Sequence, residues 1–158
     1  MAGKNDINST EKLLNAIRGK QDKYSNLNQS ITDYNKLIEL NPNDATAYYN
    51  RGVAYYKLGN NNQAIKDYTL ALELNPQDAQ AYNNRGGAYY KLNKNDQAIN
   101  DFNRAIDLDP QYAEAYYNRG ITYHKSGNRK QAFDDYKIAA RLGYQKAQDY
   151  LREQGITW

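Results

Sequence analysis

A 34-residue period constrains this chain more than any other feature. Three gapless blocks begin at Asn41, Asn75 and Asp109 and read NPNDATAYYNRGVAYYKLGNNNQAIKDYTLALEL, NPQDAQAYNNRGGAYYKLNKNDQAINDFNRAIDL and DPQYAEAYYNRGITYHKSGNRKQAFDDYKIAARL. A unit of this length cannot bury its own apolar face, so successive units must stack and share a continuous core. Each block carries two helical stretches, spanning 45–58 and 63–74 in the first copy, around an Asn/Gly-rich turn. Gly59 and Gly127 stand where a helix end needs a left-handed residue, and Asn93 can adopt that conformation in the middle copy. Pro42, Pro76 and Pro110 punctuate the links between hairpins. A mean hydropathy of -1.05 fits many thin cores better than one thick one. With 17 Tyr against 2 Phe and 1 Trp, the buried faces must be built largely from a ring with a polar tip.

The recurring residues follow packing requirements. At about 100° per residue, positions four, eight and eleven of the first helix share a face: Tyr48, Gly52, Tyr55; Tyr82, Gly86, Tyr89; Tyr116, Gly120, Tyr123. A central Gly lets the second helix approach closely, and Ala64, Ala98 and Ala132 offer it an equally small surface, with Tyr68, Phe102 and Tyr136 alongside. Arg51, Arg85 and Arg119 each precede an Asp by sixteen residues (Asp67, Asp101, Asp135), which sets them level across an antiparallel hairpin. They are expected to pair at the partly exposed edge of the hairpin interface.

On these motifs the sequence resembles the tetratricopeptide repeat (TPR) family, whose pattern of large aromatic, Gly, Tyr, Ala, aromatic, Ala and Pro recurs three times between Ala45 and about Lys146. The resemblance implies an all-α fold, an α-solenoid of antiparallel helix-turn-helix repeats forming a right-handed superhelix with a concave groove. Arg51, Arg85 and Arg119 replace the usual Leu, and the third copy closes on Gly143-Tyr144 where Pro is usual, so the array ends there. The resulting division is an N-terminal segment 1–28, the second helix of a degenerate leading repeat at 29–44, repeats at 45–78, 79–112 and 113–146, and a capping helix and tail at 147–158. In this register Arg18 stands where Gly belongs and Gln21 where Tyr belongs. Residues 1–9 are expected to be disordered and 10–23 to form a separate helix around Leu13, Leu14 and Ile17. Ala147, Tyr150 and Leu151 give the helix at 145–154 an apolar stripe that shields the last exposed face.

Little in the sequence supports catalysis. Asp33, Asp67, Asp101 and Asp135 are spread one per hairpin along a solenoid, whereas an active site needs a single convergent constellation. His124 is the only histidine and there is no cysteine, so no ligand-spaced metal cluster is visible. Each Gly of the NRG triplets falls inside a helix, which excludes a phosphate-cradling loop. The reading is therefore a non-enzyme with no cofactor, no catalytic residues and no metal. A formal charge of +3, from 21 Lys and Arg against 18 Asp and Glu, leaves no basic footprint for nucleic acid.

The remaining face of the first helices is the one that lines the concave groove in the family. It carries exposed aromatics at matched heights, which favours a peptide-binding role. The candidate contacts are Tyr49, Tyr56, Asn83, Tyr90, Tyr117, Ile121 and His124, with Lys57, Lys91 and Lys125. Asn50, Asn84 and Asn118 border the same face, and an amide that donates and accepts matches the backbone of an extended peptide. The resemblance supports such a ladder; the competing role for these residues is bonding between neighbouring helices. Co-chaperone members grip a C-terminal carboxylate with Lys and Asn at positions five and nine. Here those positions hold Tyr49 and Val53, Asn83 and Gly87, Tyr117 and Ile121, so that clamp is absent. The function expected is a protein-protein interaction scaffold or adaptor that holds an extended or short helical segment of a partner. A homo-oligomerising module is the alternative, and an RNA-binding helical repeat ranks third because Glu114 opposes three lysines. Neither a signal peptide nor a membrane span is evident, so a cytoplasmic protein is expected.

Overall fold

In the computed structural model the backbone of residues 3–158 is described, with all side chains there except those of residues 3–11, 13, 14 and 17. Eight helices follow one another among the described residues: α1 Gly3–Leu40, α2 Ala45–Lys57, α3 Asn61–Leu74, α4 Ala79–Lys91, α5 Asn95–Leu108, α6 Ala113–Lys125, α7 Arg129–Arg141 and α8 Gln145–Glu153. They pack as three hairpins, α2–α3, α4–α5 and α6–α7, and each hairpin docks on the next. The first helices also meet across repeats, α2 with α4 and α4 with α6, as the inner helices of a curved solenoid do.

Local chemistry sets the boundaries. Asp44 accepts hydrogen bonds from the Thr46 and Ala47 amides, and Asp78 from that of Ala81, capping α2 and α4. At the far end of α2, Gly59 sits at φ +81° and the Asn60 amide donates to the Tyr55 carbonyl at 2.9 Å, closing a Schellman motif. Asn93 takes the same left-handed place at φ +59°, as expected for an amide side chain at that position. In all three links the residue before Pro accepts from the amide after it: Asn41 from Asn43, Asn75 from Gln77, Asp109 from Gln111. This Asx turn is why Asn or Asp, and no other residue, precedes each Pro.

The close approach at the central glycines is tight. A Cβ at Gly52 would lie 2.9 Å from the Tyr68 ring, at Gly86 2.8 Å from Phe102, and at Gly120 2.7 Å from Tyr136. The three Arg–Asp pairs form as the spacing predicts, each bidentate: Arg51 Nε and Nη2 reach Asp67 at 2.7 Å, and Arg85 and Arg119 do the same to Asp101 and Asp135. They are less exposed than the sequence reading placed them, with Asp135 at 5% and Arg119 at 18% side-chain exposure. Each Arg also donates from Nη1 to the helix before its own, at Asn35 of α1, Thr69 of α3 or Asn103 of α5, and lies 5.5 Å over Tyr48, Tyr82 or Tyr116. The guanidinium thus locks two second helices to one first helix. That triple duty explains why Arg stands where the family usually has Leu.

The leading segment differs from expectation. Residues read from the sequence as a disordered stretch to 9, a helix at 10–23 and a second helix from 29 belong instead to the single helix α1, from Gly3 to Leu40. The side chains of Leu13, Leu14 and Ile17, on which the separate helix was centred, lie outside the described residues, as do Met1 and Ala2. In the 34-residue register the turn position of Gly59 falls on Ser25, which favours no left-handed conformation. Without that turn the helix runs on.

Candidate functional site

The first helices of the three hairpins enclose a cleft of about 230 Å³. Its walls are Tyr56 of α2, Asn84, Tyr90 and Lys91 of α4, and Glu114, Asn118 and Ile121 of α6. Gly87 forms the floor together with Phe102 of α5. A Cβ at Gly87 would meet only the Tyr56 hydroxyl, at 3.5 Å, so the floor is open because the residue lacks a side chain. This is the concave surface, and it spans repeats because no single hairpin has two facing walls.

Seven of the thirteen residues singled out from the sequence line this cleft: Tyr56, Asn83, Asn84, Tyr90, Lys91, Asn118 and Ile121. The other six sit elsewhere. Tyr49 packs on Tyr68 at 5.9 Å between ring centroids and accepts from Asn84 Nδ2 through its hydroxyl. Tyr117 lies between Tyr136 at 5.6 Å and Tyr144 at 5.0 Å, under the last helix. Lys125 donates to Asn93 Oδ1 and holds its ammonium 4.5 Å over the Tyr90 ring. His124 is exposed, Asn50 is half-buried on α2, and Lys57 borders a different hollow, beside α1.

The amides bond between repeats in two separate sets that the sequence did not resolve. Asn84 Nδ2 donates to Tyr49 Oη at 2.9 Å and Asn118 Nδ2 to Asn83 Oδ1 at 3.0 Å, while Asn83 Nδ2 donates to Tyr112 Oη at 3.2 Å. Asn83 is only 2% exposed, and both ends of its amide are committed to α6 and the link before it. Its role is to join hairpins. Tyr112 stands where the other copies have the capping Asp44 and Asp78, and gives up capping for this bond. That break in the pattern was the one visible signal that Asn83 would be engaged. Phe102, assigned from the sequence to the hairpin interior, was missed as the floor because its contact with the cleft depends on Gly87 one helix away.

Electrostatically the cleft is mild. Burial, with a smaller contribution from the Glu114 carboxylate, raises the Tyr56 phenol above the ordinary tyrosine value, so it remains a neutral donor and acceptor. Lys91 of α4 and Glu114 of α6 put one charge of each sign in the cleft lining. Among the described residues no group of three His, Asp or Glu converges on a common point, there or elsewhere. No helix among them is long and apolar enough to cross a membrane.

Comparison with known proteins agrees with this architecture. A TPR repeat model matches residues 25–59 and 86–127, and further tetratricopeptide repeat models match 45–78, 68–100 and 113–142. The chain belongs to the tetratricopeptide repeat family. Among solved structures, MamA is similar at 26% identity and a TM-score of 0.73, over 87% of this chain and 84% of that one. The first TPR of Spaghetti (RPAP3), bound to the HSP90 peptide SRMEEVD, is 30% identical with a TM-score of 0.66, over 69% of this chain and 88% of that one. The Arabidopsis OM64 TPR domain is 30% identical with a TM-score of 0.64, over 70% and 95% of the two chains. No match to a curated protein is found by sequence.

Proposed function

We propose that this TPR protein is a cytoplasmic, non-catalytic adaptor that holds an extended or short helical segment of a partner protein in the groove of α2, α4 and α6. The observation that carries this reading is the cleft walled by three successive repeats, with neutral amides and tyrosines above a glycine floor. Asn84 and Asn118 each commit one N–H to the preceding repeat, and their remaining donor and acceptor capacity serves the backbone of the bound segment. Tyr56, Tyr90 and Ile121 add apolar contact, while Lys91 and Glu114 set a preference for a segment bearing both charges. A TPR relative bound to a peptide supports the mode of binding. The positions that would grip a C-terminal carboxylate carry no Lys, so the segment is an internal one.

The test uses peptides selected against the protein from a random display library and remade with free and amidated C-termini. Both forms are expected to bind equally. Gly87→Leu fills the floor, and its Cβ meets only Tyr56, at an ordinary contact distance of 3.5 Å, so it should weaken binding by at least about tenfold while leaving the melting temperature nearly unchanged. Undiminished binding to the Gly87→Leu protein would sink the groove assignment. Loss of binding on amidation would replace it with carboxylate capture.

A further inference from the structure

The leading half of α1 is unlike anything else in the molecule. Residues 30–38, in the trailing half of α1, occupy the place of a second helix; α2 packs on one side of them, where Asn35 accepts from Arg51 Nη1, but among the described residues no preceding first helix covers the other side. Asp33 is in register with Asp67, Asp101 and Asp135, each gripped by an Arg, but among the described residues it holds only the Gln29 amide, at 3.0 Å. Leu37 is 47% exposed where its counterparts Ala71, Ala105 and Ala139 are at most 2%. Tyr34 is half-buried where Tyr68, Phe102 and Tyr136 are buried. A hollow of about 590 Å³ runs along this helix, bordered by Gly19, Asp22, Asn26 and Ser30 and reaching Lys57 of α2.

The helix that this face lacks is encoded further up α1. Arg18-Gly19 repeats the Arg-Gly pair of every complete copy, one residue out of the 34-residue register. In the complete copies that glycine is pressed against a ring, whereas nothing lies within 4 Å of a Cβ built on Gly19. A glycine weakens an exposed helix interior, so within one chain Gly19 has a cost and no contact to justify it. The pairs Arg18 with Asp33 and Gly19 with Tyr34 reproduce Arg51 with Asp67 and Gly52 with Tyr68, at a separation shorter by one. They cannot form within one straight helix. Fifteen residues of α-helix hold Arg18 about 22 Å from Asp33 along the axis, and the only non-glycine residue at positive φ among the described residues is Asn93, so α1 does not turn back at Asn26.

We infer that two copies of this chain exchange the leading halves of α1, forming a symmetric dimer in which Arg18 and Gly19 of each copy dock on Asp33 and Tyr34 of the other. The two helices run antiparallel and cross near Asn26, and both Arg–Asp pairs form at once, as a two-fold axis requires. The exchange replaces a hairpin turn with a straight helix, which is the usual geometry of a swapped element.

Light scattering on a size-exclusion column, over a dilution series of the full chain, gives the first readout. Twice the chain mass at high concentration, falling towards the chain mass on dilution, is the expected result. Arg18→Asp and Asp33→Arg, each on the exposed surface, should weaken the dimer by at least about tenfold, and the two together should restore it. The chain has no cysteine, so Asn26→Cys provides a unique thiol. A short bis-maleimide should join it to the same position of the second copy, whereas α1 folding back within one chain would give no cross-link. A single-chain mass at every concentration, a dimer indifferent to either charge reversal, or failure of the paired reversal to restore it would each overturn the inference.

Discussion

At the trailing end of the solenoid α8 lays Ala147 and Leu151, both 0% exposed, over Ala139 and Ala140 of α7; at the leading end Leu37 and Leu40 of α1 face outwards, Leu40 at 83%. The trailing closure begins with the sequence change that ends the array. Gly143, at φ +88°, replaces the Asn/Asp-Pro link, and the Tyr144 amide donates back to the Ala139 carbonyl at 2.9 Å, turning α8 across α7. Tyr144 then covers Tyr117, and Tyr150 packs on Tyr136 at 4.8 Å. The leading end has the same kind of face but no turn to close it. What distinguishes the ends is therefore one left-handed residue after a helix, present at Gly143 and missing at Ser25, rather than any difference in apolar content.

The largest effect should come from making the trailing end resemble the leading one. Ending the chain after Leu142 removes Leu151 and uncovers Tyr136, Ala139 and Ala140. Burial of one Leu and the faces of several tyrosines is on the order of 3 kcal/mol or more, so the truncated chain should melt well below the full one by circular dichroism or aggregate. An unchanged melting curve with the same size-exclusion profile as the full chain would show that α8 is not a cap.

The contrast between the ends also marks what could be read from the sequence. The three hairpins were legible because each packing rule is sampled three times: a glycine opposite a ring, an Arg sixteen residues before an Asp, an Asn or Asp before each Pro. The groove was legible as a face and not as a site. Tyr49 and Tyr117 share that face by periodicity, but Asn84 engages the hydroxyl of one and Tyr144 covers the ring of the other. Asn83 looked like a groove amide and is a buried joint, because its partner Tyr112 lies in a link between repeats. The course of α1 was not legible in a strict 34-residue register, which put Arg18 opposite Tyr34 and hid the Arg18-Gly19 pair one step away.

A second prediction compares a paired aspartate with the uncovered one. Burial raises the Asp135 carboxyl above its ordinary value, and the Arg119 bonds oppose that rise only in part. Arg119→Ala leaves a buried carboxylate without its bidentate partner and should cost about 2 kcal/mol at neutral pH. Removing the opposing contribution raises the folded-state value of Asp135 further. A carboxyl raised on folding favours the folded state below its unfolded value and loses that advantage as pH climbs through the folded one. The deficit of the Arg119→Ala protein should therefore be largest at neutral pH and shrink on acidification through the carboxylate range. Denaturant melts at several pH values measure it, and a deficit independent of pH would mean that Asp135 finds another partner. Asp33→Ala, at an exposed position, should leave the stability of the single chain nearly unchanged.

The smallest effect separates the two kinds of glycine. Gly120→Ala puts a methyl 2.7 Å from the Tyr136 ring and 3.2 Å from the Ala132 carbonyl oxygen, so α6 and α7 must move apart, at a cost of about 1–3 kcal/mol. Gly19→Ala meets nothing within 4 Å in the single chain and replaces glycine in a helix interior, so it should stabilise α1 by about 0.5–1 kcal/mol. Far-UV circular dichroism in dilute solution should show a small gain in helix for Gly19→Ala. If α1 halves are exchanged between copies, the same methyl meets the ring of Tyr34 in the second copy, as Cβ atoms at Gly52 or Gly120 would meet theirs, and the dimer weakens while the isolated helix strengthens. The two readouts must move in opposite directions. Gain of helix with an unweakened dimer would place Gly19 outside the contact and leave its presence in α1 without a packing reason.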